Sequence, residues 1–467
     1  MLYNYVLKKG GAMLNEKFEE RMKALLKDEY EQFINELIYG KEQKGVRINR
    51  LKCDPERTLN EISLELKAIS YAKDGYLLSG EYSGIGNTPE HISGQIYMQD
   101  PGAMASVSAL SIRPGMKVAD LCAAPGGKSS QIAAMLENEG FLLSNEYVPK
   151  RAKILVGNYE RLGIKCGVVT SLDTKEIANL YENYFDVAIV DAPCSGEGMF
   201  RKNNPAIEEW SEDNVRESSV RQREILKNGA KIVKDGGSLL YSTCTYSLEE
   251  NEMVIDDFLA SHPEFMLCDV KDELVKATSD GIVFDGAKCK ELYKARRFYP
   301  HKSPGEGQFL ALFTKKTCNG ARESIKDTLK SPGKDELSII NNFFKESLIS
   351  APKARIAKYG DNTVLISHGS PLPQKGVFSA GVNVGEIRGK LLFPAHQFFM
   401  AYSELFKNRI ELSRDEAIRY CRGEELIIEN KEIRGWCVLL YNSSALGGGK
   451  ISDGKIKNHF PKGLRIN

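Results

Sequence analysis

Histidine is scarce in this 467-residue chain, with six, and tryptophan scarcer still, with two. Ten cysteines are present, but none forms a C-x-x-C pair. Their scatter fits neither a disulfide framework nor a zinc site, so no metal is expected and a reducing compartment is. No run of about 18 uninterrupted apolar residues occurs, which argues against a membrane-spanning helix. The first thirteen residues carry Lys8 and Lys9 but no apolar core before small cleavage residues, so no signal peptide is expected. These absences together predict a cytoplasmic protein. Internal repeats and low-complexity tracts are also lacking. With 42% hydrophobic and 27% charged residues, the chain has the composition of an ordinary globular protein, long enough for about three domains.

Net charge is nearly absent as well: 64 Lys plus Arg balance 63 Asp plus Glu. The balance conceals an asymmetry. From Lys316 onward the chain carries a net +8, and residues 1–315 carry −7. A basic appendage on an acidic body suits a polyanion partner, because neutralised phosphates release counterions. A solvated charged surface would show the same numbers.

What is present begins with apolar residues at helical spacing. Phe18, Met22, Leu25, Leu26, Tyr30, Phe33 and Leu37 predict an amphipathic helix over 14–40, ending at Gly40. A short strand is expected over 46–52, and a Gly/Ser/Pro-rich stretch over 79–94 leads into the next domain. Apolar runs at 116–122, 140–145, 165–170, 185–191 and 237–242 then alternate with helical stretches at 128–138, 149–162, 174–183 and 214–234. Such alternation predicts a parallel sheet covered on both faces, an α/β doubly wound core, with 307–314 as a closing strand. A polar linker with a helix follows over 316–350. The remainder reads as a small α+β module with a helix near 396–408. The domain boundaries expected from this are 1–94, 95–315, 316–389 and 390–467.

In open parallel sheets, ligands bind where the strands end. The first strand of the core runs into Asp120-Leu121-Cys122-Ala123-Ala124-Pro125-Gly126-Gly127-Lys128-Ser129. Gly127-Lys128-Ser129 matches the end of a phosphate-binding loop, but Cys122 stands where that loop needs its first glycine. The dinucleotide fingerprint fails too. What remains is a tight turn suited to an adenosyl-type ligand, or an incidental strand–helix connection. Glu146 ends the second strand, about 20 residues past the glycine turn, where dinucleotide folds hold a ribose. Asp173 follows the third strand. Either residue could equally cap a helix. The fourth strand delivers Asp191-Ala192-Pro193-Cys194-Ser195-Gly196, and the fifth Ser242-Thr243-Cys244-Thr245-Tyr246. Two cysteines at neighbouring strand ends, in polar surroundings, are poor core fillers.

The runs DLCAAPGGKSSQIA, FDVAIVDAPCSGEGMFRK and STCTYSLEENE resemble those of the Nop/Sun-type RNA cytosine-5 methyltransferases, and among them the bacterial RsmF-like group acting on small-subunit ribosomal RNA. GVRINRLK, YMQDPGAM, RRFYPHKSPGEGQFLALF and SSALGGGK extend the likeness over almost the whole chain. The resemblance implies a Rossmann-like class I methyltransferase core with an N-terminal α+β RNA-binding extension. It also implies a C-terminal PUA-like α+β module, where Lys450, Lys455, Lys457, Lys462 and Arg465 cluster. The implied reaction transfers a methyl group from S-adenosyl-L-methionine to C5 of a cytosine, most naturally in 16S rRNA. Cys244 would be the nucleophile, Cys194 would assist elimination, and Asp191 would hold the cytosine N3 edge. Cofactor contacts would fall on Cys122, Ala123, Ala124, Pro125, Gly126, Gly127, Lys128, Glu146, Asp173 and Asp191, with Arg151 near the pocket. Position 146 is Glu where the family often has Asp.

Three alternatives accompany this reading. A tRNA target would need the same chemistry. A DNA cytosine-5 methyltransferase would attack with Cys194 and leave Cys244 without work. A ribosome-assembly factor without catalysis would not need either cysteine. The expected partner is RNA, without a membrane, and the expected state is a monomer.

Overall fold

Helix formation near the amino end is interrupted where the periodicity predicted continuity. The computed structural model describes residues 14–80, 83–202, 204–317, 329–360, 362–366 and 371–466. The amino-terminal thirteen residues, Cys318 and the middle of the 316–350 linker lie outside these. Two helices form instead of one over 14–40, Glu16–Leu26 and Tyr30–Tyr39, separated by a 3-10 turn at Lys27–Glu29. The break falls at Lys27, whose φ of 49° lies outside the right-handed helical region. Both helices bury their apolar faces in one core, where Phe18, Met22, Phe33 and Leu37 meet Phe200, Trp210, Tyr246 and Tyr299. Phe200 and Tyr246 belong to the segments that carry Cys194 and Cys244, so these helices pack on the loops of the candidate site.

A small antiparallel sheet follows: β1 (Gly45–Ile48), β2 (Glu65–Ala68), β3 (Gly75–Ser79) and β4 (Ile96–Met98), in the order β2-β3-β1-β4. β1 is shorter than the 46–52 run predicted, because the Asn49 side chain accepts the Leu51 N–H at 3.2 Å and turns the chain.

All five core strands form: β5 (Lys117–Asp120), β6 (Phe141–Asn145), β7 (Gly167–Thr170), β8 (Phe185–Asp191) and β9 (Val233–Thr243). They lie parallel in the order β9-β8-β5-β6-β7. Beyond β9 come β10 (Phe265–Cys268), β11 (Ser279–Asp280), β12 (Arg296–Phe298) and β13 (Gln308–Lys315), all antiparallel additions. β13, the closing strand expected at 307–314, pairs with β9. The near-continuous burial of β8 reflects cover on both faces. One apolar cluster includes Ala119, Val190, Leu226 and Tyr241, and the other includes Val118, Ile132, Ile189 and Leu240. Strand order reverses between β5 and β8, which opens a crevice at their carboxyl ends. The core is a Rossmann-like class I methyltransferase fold.

The chain then forms β14 (Arg355–Tyr359), β15 (Asn362–Ile366), β16 (Val377–Ala380), β17 (Val382–Arg388) and β18 (Leu391–Pro394). Four of these make a separate sheet, β14-β15-β17-β18. β16 leaves it and pairs antiparallel with β7, setting Val377 opposite Thr170 and Ala380 opposite Val168. The last sheet is β19 (Asn408–Glu411), β20 (Leu426–Ile427), β21 (Gly435–Tyr441), β22 (Ser444–Ser452) and β23 (Lys455–Asn458), ordered β19-β21-β22-β23-β20. The helix expected near 396–408 is only His396–Ala401 and a 3-10 turn at Ser403–Leu405, since Asn408 already belongs to β19.

Candidate active site

The turn after β5 is stitched to both neighbouring strands. Leu121 N–H donates to Ile189 O at 3.0 Å, and Ala123 N–H to Asn145 O at 2.9 Å. Gly126 has φ 115°, a left-handed conformation that favours glycine, and a Cβ there would also press on Leu155 Cδ1 at 2.9 Å. Arg151 donates to Ala124 O and Asn158 to Pro125 O, each at 2.8 Å, which anchors the turn to the helix Pro149–Arg161. Residues 122 to 126 thus form a fixed loop, and Gly127 and Lys128 open the helix Gly127–Met135.

Glu146 stands at the end of β6 and is buried. Its Oε1 accepts Val148 N–H at 3.0 Å, and Oε2 lies 3.3 Å from Arg151 Nη1. Asp173 is exposed and caps the helix Thr174–Leu180, accepting Lys175 N–H at 2.8 Å. Asp120 is fully buried and takes the Ser129 hydroxyl at 2.6 Å on one oxygen. Among the described residues its other oxygen has no hydrogen-bond partner. Burial pushes its carboxyl up to about 7 against that hydrogen bond, with Asp191 adding to the rise and Lys128 opposing it. The Cys122 thiol is pushed well up by burial and then by Asp120, Asp191 and Glu146. Three carboxylates therefore surround this part of the crevice.

The two cysteines meet at the ends of β8 and β9. Cys194 Sγ and Cys244 Sγ are 3.3 Å apart. Asp191 accepts the Ser242 hydroxyl at 2.7 Å on Oδ1 and pairs through Oδ2 with Lys128 Nζ at 2.9 Å. Burial works against the Lys128 charge, but Asp191 outweighs it and the ammonium stays protonated. The Cys194 thiol is held far above its ordinary range by sharing its proton with Cys244 and by burial. Either sulfur can be the donor in this contact. Gly198 N–H, at 2.9 Å from Cys244 O, ties the loop of one cysteine to the other.

A model described as 16S rRNA methyltransferase RsmB/F matches residues 107–314. Residues 14–101 match the N-terminal domain of 16S rRNA methyltransferase RsmF, and residues 407–466 the methyltransferase RsmF PUA domain. The chain belongs to the RsmB/F methyltransferase family. A ribosomal RNA small subunit methyltransferase F from Vibrio vulnificus is 29% identical, over 90% of this chain and 91% of the relative. Its namesake from Erwinia tasmaniensis is 27% identical over 96% of both. The crystal structure of a methyltransferase homolog protein from Pyrococcus horikoshii is 28% identical with a TM-score of 0.57, covering 64% of this chain and 95% of that one. As a member of the RsmB/F family, the protein is an S-adenosyl-L-methionine-dependent RNA methyltransferase.

The crevice suits that cofactor. A sulfonium is a cation, and the acidic groups of Asp120, Asp191 and Glu146 around Cys122 favour one there, although burial, the main cause of the raised thiol, favours no charge. The turn gives close backbone approach and lacks the phosphate cradle that a nucleoside phosphate would need. Asp191, Cys194, Cys244, Lys128 and the 122–127 turn come together around the crevice. Glu146 stands beside them, while Asp173 lies further out on its exposed cap.

Three buried residues at the site escaped the sequence analysis. Glu197 accepts from Trp210 Nε1, Thr245 Oγ1 and Tyr246 N–H, each at 2.9 Å. Glu250 accepts Ser195 N–H at 2.8 Å, and Gln222 donates to it at 2.9 Å. Carboxylates three residues past Cys194 and six past Cys244, in GEG and LEENE, were the available signal for the acids. Gln222 lies mid-helix and had none.

Proposed function

We propose that this enzyme methylates C5 of a cytosine in small-subunit ribosomal RNA through a covalent bond from Cys244 to C6 of the base. The observation that carries the reading is the 3.3 Å approach of the Cys194 and Cys244 sulfurs at the ends of neighbouring strands. C5 of cytosine is too weak a nucleophile to attack a methyl sulfonium unaided. Addition of the Cys244 thiolate to C6 moves the ring electrons to C5, so one hard step becomes two easier ones. Asp191, fixed by Lys128 and Ser242, is set to hold the N3 edge of the base during addition. When bound, S-adenosyl-L-methionine supplies the electrophilic methyl group. Contacts to it are assigned to Cys122 through Lys128, Glu146, Asp173 and Asp191. Cys194, once it has given its own proton to solvent, then assists the β-elimination: its thiolate takes the C5 proton and becomes a thiol, the C6–S bond breaks, and Cys244 departs as thiolate. The names of the relatives, and the PUA domain at the basic carboxyl end, support ribosomal RNA as the substrate.

The test uses the two cysteine variants with unmethylated small ribosomal subunits and labelled cofactor. Cys244→Ala should abolish methyl transfer and form no adduct, with cofactor affinity retained. Cys194→Ala should accumulate a protein–RNA adduct that survives denaturing electrophoresis. An adduct with Cys244→Ala and none with Cys194→Ala would reverse the roles.

A further inference from the structure

Cys194 is held by its two neighbours in the chain rather than by its own side chain alone. On one side, Pro193 O accepts from Gln222 Nε2 at 2.9 Å. On the other, Ser195 N–H donates to Glu250 Oε1 at 2.8 Å, and the Ser195 hydroxyl to Glu250 Oε2 at 2.5 Å. The same Gln222 nitrogen also donates to Glu250 Oε1 at 2.9 Å, so the clamp is closed. Gln222 comes from the helix Glu212–Ile232, and Glu250 from the loop after β9. Both are fully buried.

The clamp also reaches the second cysteine. Thr245, adjacent to Cys244, lies with its hydroxyl 3.2 Å from Glu250 Oε2, 2.9 Å from Glu197 Oε2 and 3.0 Å from the Ser195 hydroxyl. The donors balance if Ser195 donates to Glu250 and Thr245 to Glu197. Glu250 is itself anchored, because its backbone carbonyl accepts the Tyr241 hydroxyl at 2.6 Å. Glu250 thus holds the residue after Cys194 and Glu197 the residue after Cys244, with the Ser195 and Thr245 hydroxyls 3.0 Å apart between them. Both carboxylates of this network have a donor on each oxygen, and among the described residues Gln222 Oε1 is left without a partner; a buried network of this kind holds its paired groups in one geometry.

We infer that Gln222 and Glu250 are positioning residues, which hold the Cys194 thiol against Cys244 for the release of methylated RNA. The inference rests on the roles given to the two cysteines above. Release needs both thiols in register, whereas the first addition needs Cys244 alone. Loss of the clamp should therefore separate the two steps. Burial and the nearby Glu197 raise the Glu250 carboxyl to about 7, and its hydrogen bonds oppose that rise. Replacement by glutamine keeps an acceptor for Ser195 N–H and makes the side chain neutral.

The experiment compares Glu250→Ala, Glu250→Gln, Gln222→Ala and Cys194→Ala on unmethylated small ribosomal subunits. Turnover and the yield of denaturation-resistant adduct are read side by side. Calorimetric cofactor affinity and the thermal midpoint are measured for each variant. Glu250→Ala should release product about ten- to a hundred-fold more slowly, the range for removing a hydrogen bond to a charged group. It should form adduct at close to the wild-type rate, so adduct accumulates. Glu250→Gln should restore release. Gln222→Ala, which leaves Glu250 its other donors, should show a smaller form of the same defect and serves if Glu250→Ala does not fold. A parallel fall in adduct formation, release and cofactor affinity, not rescued by glutamine, would make the pair merely structural and overturn the inference. If Cys194→Ala accumulates adduct and the clamp variants do not, only the clamp falls. If Cys194→Ala accumulates none, the cysteine roles fall and the clamp with them.

Discussion

Lys128 Nζ lies 2.9 Å from Asp191 Oδ2, which joins the glycine turn after β5 to the end of β8 across the reversal in strand order. The lysine is buried while the aspartate is partly open to the crevice. Removing either leaves the other with a charge arranged for a partner. Lys128→Ala and Asp191→Asn should each lower turnover strongly. The double variant should lose little more than the worse single one, because residues in contact are not additive. A cycle of four turnover measurements checks this, and strict additivity would contradict a shared role.

Glu146 is the residue proposed to hold the ribose. Its carboxylate already takes Val148 N–H and faces Arg151, so it is fixed in place rather than free to rotate. Glu146→Ala should weaken cofactor binding about ten- to a hundred-fold, the worth of a hydrogen bond to a charged group. Titration calorimetry decides it. Unchanged affinity would move the ribose elsewhere.

The pH dependence of stability follows from Asp120. Its carboxyl is raised to about 7, chiefly by burial, so the folded state holds the proton more tightly than the unfolded chain does. Stability that is fully present in acid is then lost as pH rises through about 7. The thermal midpoint should fall between pH 5 and pH 8, as far as this group governs it. Asp120→Asn, neutral throughout, should show a shallower fall. Glu160 and Glu250, each raised to about 7 chiefly by burial, should leave a residual slope. Equal slopes in both proteins would rule Asp120 out as the source.

Lys450 and Lys457 face each other across β22 and β23. Like charges directly opposite on a sheet cost stability unless an anion covers them. Replacing Lys450, Lys455, Lys457 and Lys462 by alanine should therefore leave the module folded and raise the apparent KM for RNA. The log–log salt dependence should become shallower by roughly 0.7–0.9 for each phosphate that is no longer neutralised. Sequence preference should not change, since groups that bind phosphate position the nucleic acid rather than specify it. An unchanged KM and salt slope would make the +8 of the carboxyl third a solvated surface.

The alternation of strands and helices from residue 116 onward was legible because each parallel strand is buried on both faces and reads as an apolar run. The strand-end positions of Asp191, Cys194 and Cys244 followed from it directly. The break at Lys27 was not legible, because the apolar spacing continues through it and only the backbone angle betrays it. β16 was missed because it is short and set in a polar stretch, and its partner β7 lies more than two hundred residues earlier. The Gln222–Glu250 clamp was invisible for a related reason. Its meaning lies in which backbone groups it meets, and no periodicity encodes that.

The position of β16 has a consequence for the chain's behaviour outside the reaction. Without it, β7 would be the outermost strand of the catalytic sheet on that side, presenting unpaired N–H and C=O groups to any passing strand. Such an edge is a template for aggregation, and proteins commonly cover or blunt it. Here the cover comes from a segment well beyond the last catalytic residue. A fragment ending after β13 would keep every residue named in the reaction and still expose that edge. The region between the catalytic sheet and the PUA domain thus protects solubility, and a cut that spares the chemistry would remove that protection.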